Sequence, residues 1–400
     1  MVIRLTLVAA DSTTALAVDH EGINVARSIA SGKGFADPYC CPTGPTAHLA
    51  PGYPTLTGVI FRLLPNREAR GIAMGLVAST ASSLAWAMLP LLGLQIGAPL
   101  SVCVVAGFIG ALFPMLPGQE ARGAWETSLS TFFAVLCTLL SARFTQSGRW
   151  PHAVMAGIAW GAAFWFAPNL LPMCLVWVAY GVCRSHLRAA SAAILLIAGA
   201  LISPWIVRNY LQFGRVFWVR DTLGLELRVS NNSTAAPTFV ENFETASSEF
   251  HPHGNWTACM QVQAMGEIQY MNLQMRAAID WIRSHPSGFL KLTGQHIWYF
   301  WIPKLPLFRW VITALCGILG LFGLLISWRY GWPVRIALGA ALVAYPALYY
   351  FVQSIARYRQ PVQPLIALSA AFALEPFWRR YFPGKNTGSA EGLKEVEAKR

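Results

Sequence analysis

The sequence predicts an all-α polytopic membrane protein, and three observations carry the prediction. Hydrophobic residues make up 55% of the 400-residue chain and charged residues only 12%, about half the charged share of a soluble domain. Apolar runs of roughly 18 residues or more recur along the chain, each long enough to cross a bilayer as a helix. The runs are continuously apolar and do not alternate, which argues against a transmembrane β-barrel. The net charge of +12 sits mainly in short connections between these runs. That distribution fits the positive-inside rule and not a nucleic-acid-binding patch, so no nucleic-acid partner is expected.

Taken in order, residues 2–17 are too short and too polar to span, being interrupted by Arg4 and Asp11. They also lack the small-residue cleavage pattern of a signal peptide. The polar, Gly- and Pro-rich stretch from Val18 to Pro54 follows, with Asp19 and Glu21 two apart at its start. LAPGYPTLTGVIFRLLP then predicts a short interfacial or re-entrant helix closed by Pro65. Nine spans are predicted over 71–97, 99–117, 127–145, 152–167, 168–183, 190–207, 308–327, 335–352 and 361–377, the middle boundary softened by Pro168 and Pro172. Arg143 and Arg149, then Arg184, His186 and Arg188, then Arg329 and Arg335, and the tail from Arg379 all fall on one side, which the positive-inside rule makes cytoplasmic. Residues 18–70, 208–307 and 353–360 then lie outside.

The resulting organisation is a first outer loop and juxtamembrane helix (1–70), a transmembrane bundle (71–207), an extracytoplasmic cap (208–307), C-terminal transmembrane helices (308–378) and a cytoplasmic tail (379–400). No span precedes Asp19 although the tail lies inside, so either the chain begins outside or a first helix lies upstream of Met1, and the second is the expectation. Within the cap, Ile268, Met271, Leu273, Met275, Ala278, Ile279 and Ile282 recur near helical spacing and predict a helical stretch from Gln261 to Ser284. Of the eight cysteines, Cys40, Cys41 and Cys259 lie in the polar segments. Cys259 and one of the adjacent pair could form a disulfide if both segments face an oxidising compartment. The other five read as small packing residues in or at the ends of apolar runs.

Chemistry has few places to go in such a chain. No Asp or Glu occurs from Thr127 through Arg220, nor from Trp310 through Leu374, which removes the intramembrane acid of an ion-coupled transporter. Asp19 and Glu21 are therefore the catalytic candidates, as a general base or a cation site; the alternative is an N-cap for the helix INVARSIASG. Glu120 and Glu126 are the next nearest acids. Arg357 and Arg359 in QSIARYRQPVQP break the positive-inside rule and suit a clamp for a phosphate at headgroup level, or else a lipid anchor. Arg208, beside Asn209, and Lys33 join them as weaker phosphate candidates, while His48, Tyr53 and Arg220 are assigned to an acceptor pocket. Cys41, His48, His251 and His253 are too scattered to predict a metal site; no cofactor is expected, with a divalent cation left open.

The order D-x-E, ASGKGF, GPTAHLAPGYP, a soft helix pair near FAPNLLP, PWIVRNYLQFGRVFWVR with GLEL and NN, and then ARYRQPVQP resembles bacterial membrane glycosyltransferases of the GT-C superfamily. Within it the sequence looks most like the dolichyl-phosphate-mannose protein mannosyltransferase and aminoarabinose lipid A transferase family (glycosyltransferase family 39-like). The resemblance implies a multi-pass enzyme of the bacterial inner membrane, working on the periplasmic face with inversion. It implies a polyprenyl-phosphate-sugar donor, a glycan, lipid or protein acceptor, Asp19 as base with Glu21 beside it, and Arg357 and Arg359 on the carrier phosphate. Two departures stand out: the first helix is missing, and the position where relatives carry Thr-Arg-Pro reads Phe166-Ala167-Pro168. A lipid-linked sugar flippase and a non-catalytic membrane subunit are the alternatives. The absence of intramembrane acids and the large one-sided loop weigh against the flippase.

Overall fold

The computed structural model describes residues 20–112 and 125–378. Asp19, Glu120 and the tail therefore lie outside the described residues. Helix α1 (Glu21–Ala30) starts where the chain leaves an extended His20, whose ring Nδ1 accepts from the Gly22 amide at 3.2 Å. Its apolar face meets α2 (Gly52–Leu63), and Ile23, Ala26, Tyr53, Phe61 and Met74 close over one another as a small core. At 12 residues α2 is too short to span, as its sequence predicts. The chain then turns at Asn66, whose side chain accepts from the Ala69 amide at 2.7 Å and starts α3 (Arg67–Ile96).

The bundle continues through α4 (Leu100–Leu112), α5 (Thr127–Ser147), α6 (Trp150–Phe166), α7 (Leu171–Val182) and α8 (Arg188–Phe213). After the cap it resumes with α15 (Leu307–Ile326), α16 (Trp332–Gly339), the single turn α17 (Ala356–Arg359) and α18 (Gln363–Trp378). Helix stands at every predicted span within the described residues. Among the described residues five helical stretches are long and apolar enough to cross a membrane: Arg67–Ile96, Thr127–Ser147, Arg188–Phe213, Leu307–Arg329 and Trp332–Tyr349. The stretch from 152 to 183 is split by the turn Pro168–Leu170 into pieces of 17 and 12 residues. Pro168 removes an amide donor and Ala167 leaves helical geometry.

The surface of the bundle speaks for lipid. Only 33% of the most apolar window of α8 is buried, and Leu196, Leu201, Val207 and Leu211 stand exposed along it. Inside, the fully buried Trp160 satisfies its indole N–H by donating to Ser141 at 3.0 Å.

The cap comprises α9 (Leu223–Ser230), α10 (Phe239–Phe243), α11 (Ala246–Phe250), α12 (Trp256–Met265), α13 (Glu267–Ser284) and α14 (Pro286–Trp301). The helical stretch expected from Gln261 to Ser284 is two helices, because Gly266 sits at φ 86° and turns the chain. Among the described residues there are two isolated bridges, Ala36–Pro45 and Thr238–Ser354. The Thr238–Ser354 bridge pins the cap to the segment ahead of α17, helped by Asn242 donating to Gln353 (3.0 Å) and Asn231 donating to the Phe351 carbonyl (2.9 Å). A disulfide between Cys41 and Cys259 ties the cap to the first loop. The three polar segments thus gather at one end of the bundle.

Candidate active site at the polar end of the bundle

The first loop reaches the site through a turn closed by Asp37, which has φ 56° and whose carboxylate accepts from the Thr43 and Gly44 amides at 3.0 and 2.8 Å. This turn sets Tyr39 and Cys41 on one side and Thr46 to His48 on the other. Arg208, at the end of α8, fastens the loop by donating to the carbonyls of Thr46 (2.7 Å) and Phe35 (3.1 Å). Arg220 does the same at the His48 carbonyl, 2.9 Å away.

Glu21, at the first position of α1, meets His48 from the loop and His251 from the cap, with one donor atom of each lying within 4.8 Å of the others. The Glu21 Oε1 to His251 Nε2 distance is 3.6 Å. That is long for a charge-assisted hydrogen bond and close to the ~3.4 Å between neighbouring ligands around a tetrahedral zinc with ~2.1 Å bonds. Burial alone would push the Glu21 carboxyl up, but the charge of His251, His48 and His253 outweighs it and holds the group at about 2. Burial pushes His48 well below the usual imidazole range, against the pull of Glu21. An ionised carboxylate and a neutral imidazole are the forms that bind a metal, so the residues present fit a divalent cation.

Behind His48 lies a buried polar network. The Tyr39 hydroxyl is 3.1 Å from His48 Nδ1 and donates to Glu267 Oε2 at 3.4 Å. Glu267 also accepts from the Thr46 hydroxyl (2.5 Å) and the Ala47 amide (2.6 Å). Asp221 faces it with both carboxylate oxygens buried. Burial pushes both acids above the usual carboxylate range, and the charge of Asp221 pushes Glu267 further up.

On the other side of Glu21 is a stack centred on Trp125. The His20 ring lies 3.8 Å from the Trp125 ring, nearly parallel, and the Arg357 guanidinium carbon lies 3.7 Å from the same ring. At those separations the two must occupy opposite faces of the indole. The contact joins the start of α1, the start of α5 and the ARYR segment. A small recess opens here, lined by Leu49, Ala50, Tyr53, Trp125, Phe166 and Arg220 among others. A second small recess shares Tyr53 and Trp125 and lies between α2, α3 and α5 along Leu56, Ile60, Met74, Val77 and Leu129.

The residues singled out from sequence therefore take different places. Glu21, His48, Tyr53, Arg220 and Arg357 surround this junction. Arg359 is turned into the bundle, 2% exposed, donating to the carbonyls of Trp301 (2.7 Å) and Thr313 (3.0 Å). Arg208 is occupied with the first loop, and Lys33 is exposed beyond the end of α1. Tyr39, Trp125, Asp221 and Glu267 escape a sequence reading, since no spacing links residues more than 200 apart. The one available hint was Asp221, the acid that ends the long carboxylate-free stretch.

Fold and site together define an all-α polytopic membrane protein with an acid, histidine and arginine cluster at one end. No protein-family model and no curated protein matches the chain. Solved structures similar to it include two of the Archaeoglobus fulgidus oligosaccharyltransferase. The one in complex with Zn and sulfate superposes with a TM-score of 0.51 at 16% identity, over 90% of this chain and 45% of the other. The apo form gives 0.51 at 14% identity, over 90% and 46%. The likeness is one of fold, and the chain spans a little under half the length of those proteins.

Proposed function

We propose that the chain is a membrane glycosyltransferase that moves a sugar from a polyprenyl-phosphate donor to a glycan, lipid or protein acceptor. Its polar end would face the extracytoplasmic side of a bacterial inner membrane. The observation that carries this reading is the junction at Trp125. An amphiphile with a charged head and a long apolar tail is the ligand that a junction with Arg220 and Arg357 on one side and apolar space between helices on the other would take. The Cys41–Cys259 disulfide supports an oxidising side for that end.

In the step, the acceptor oxygen forms a bond to the anomeric carbon while the carbon–oxygen bond to phosphate breaks and its electron pair leaves with the phosphate. The acceptor proton passes to a carboxylate. Asp19 takes that part in our reading, because it immediately precedes His20 and because Glu21 is engaged with two histidines. Arg357, held on Trp125, offers its guanidinium to the departing phosphate, the kind of fixed charge that acts where charge develops. Arg359 keeps the ARYR turn in place through its two carbonyl contacts. Glu21, His48 and His251 would hold a divalent cation such as zinc, and the Zn complex of the archaeal neighbour supports that choice. A bound cation would supply positive charge toward the phosphate.

Sugar transfer from a labelled polyprenyl-phosphate donor in proteoliposomes tests the reading. Asp19→Asn should lower the rate by ~10²–10⁴-fold, and Arg357→Ala by about 10²-fold or more. If wild type transfers nothing while labelled lipid still crosses the bilayer, the chain is a flippase and the enzyme reading fails.

A further inference from the structure

We propose that Tyr39 and Glu267 are positioning residues that orient His48 toward a bound divalent cation, so that the cap builds the site as well as covering it. The inference rests on the cation reading of Glu21, His48 and His251 given above. Three contacts carry it. Tyr39 Oη sits between His48 Nδ1 at 3.1 Å and Glu267 Oε2 at 3.4 Å, and all three residues are at least nine-tenths buried. Glu267 Oε2 is already an acceptor for the Thr46 hydroxyl at 2.5 Å. The Thr46 oxygen in turn accepts from the His48 amide at 3.0 Å.

A phenol has one proton to give. Donating it to the acceptor oxygen of Glu267 leaves Tyr39 a lone pair for His48, which satisfies both neighbours if Nδ1 carries the imidazole proton. Nε2 is then the ring nitrogen with a free lone pair, and it is the one left for the Glu21 and His251 cluster. The ring is also held from behind: its backbone amide is fixed by Thr46 and its carbonyl by Arg220 at 2.9 Å. A metal-bound histidine whose second nitrogen is fixed by a hydrogen bond is the usual way a protein sets tautomer and ring angle. Here the fixing group is two links long, and its far end, Glu267, belongs to α13 in the cap.

Zinc alone, titrated into the full chain in detergent against a chromogenic chelator, reads this directly without any sugar substrate. Tyr39→Phe removes one oxygen atom and should weaken zinc binding by about 10- to 100-fold, the range for loss of such a partner. The visible spectrum of the cobalt-substituted protein should shift as well, which a purely structural loss elsewhere would not cause. Glu267→Gln keeps an acceptor oxygen for Tyr39 and should bind more tightly than Tyr39→Phe; thermal unfolding confirms that each variant is folded. Wild-type affinity and an unchanged cobalt spectrum in Tyr39→Phe would overturn the inference while leaving the cation reading intact. Failure of wild type to bind zinc, or binding that survives His48→Ala with His251→Ala, would overturn the cation reading and this inference with it.

Discussion

At the scale of single residues, the buried pair Asp221 and Glu267 sets a pH dependence whose sign can be worked out. Burial raises both carboxyls in the folded chain, while in the unfolded chain they titrate near 4. Below that range both states hold their protons and the pair's contribution is complete. As pH rises above it, the unfolded chain releases protons that the folded chain keeps, so stability falls through the folded values. Thermal unfolding in detergent between pH 4 and 8 should therefore show a loss toward neutral pH that Glu267→Gln flattens. A variant profile as steep as wild type would mean that burial of Glu267 does not set this pH dependence. Glu267→Ala behaves differently: it strips the Thr46 hydroxyl, the Ala47 amide and the Tyr39 hydroxyl of an acceptor, at about 1–3 kcal/mol for each group left buried and unpaired.

At the scale of helices, α15 and α18 meet at Gly320 and Gly323, small residues of the kind that let helix backbones approach closely in lipid. A Cβ at Gly323 would fall 1.7 Å from the Ser369 carbonyl oxygen, and one at Gly320 would fall 2.8 Å from Ile366 Cγ2. Ser369 uses the closeness to donate to the Gly320 carbonyl at 2.7 Å. Gly323→Ala should therefore push the helices apart and cost about 1–3 kcal/mol or more, read as a fall in unfolding temperature. Gly339→Ala, where a Cβ meets nothing within 4 Å, should be neutral or slightly stabilising. Equal effects from the two would refute the packing argument. Helices of this sort were legible in the sequence because lipid demands long apolar runs, which is why each predicted span has a helix. Their ends were less so. The break at Gly266 depends on one glycine at positive φ inside a pattern that stays apolar-periodic across it, and periodicity does not register such a residue.

At the scale of the whole molecule, the site is made from segments that only the fold brings together. Glu21 and Arg357 could be nominated from sequence because acids and outward arginines are rare in an oily chain. Their companions could not: His251 looks like one scattered histidine among several, and Trp125 like one more interfacial aromatic. The disulfide decides whether these pieces stay in register, since Cys41 lies in the loop with His48 and Cys259 in the cap with His251 and Glu267. It closes a separation of 218 residues, for which the loop-entropy argument gives at most about 5 kcal/mol. Helices anchored in a membrane shorten the free loop, so a loss of roughly 2–4 kcal/mol is expected for Cys41→Ser. Cys40 is exposed and free, its thiol only touching the Pro252 carbonyl at 3.1 Å, and Cys40→Ser should leave stability and zinc binding near wild type. Non-reducing peptide mapping should recover a peptide pair joined through Cys41 and Cys259, with Cys40 open to alkylation. Recovery of a Cys40–Cys259 pair would instead shift the first loop by one residue against the cap. Tyr39 would then lose its place between His48 and Glu267, and the site described here would not assemble.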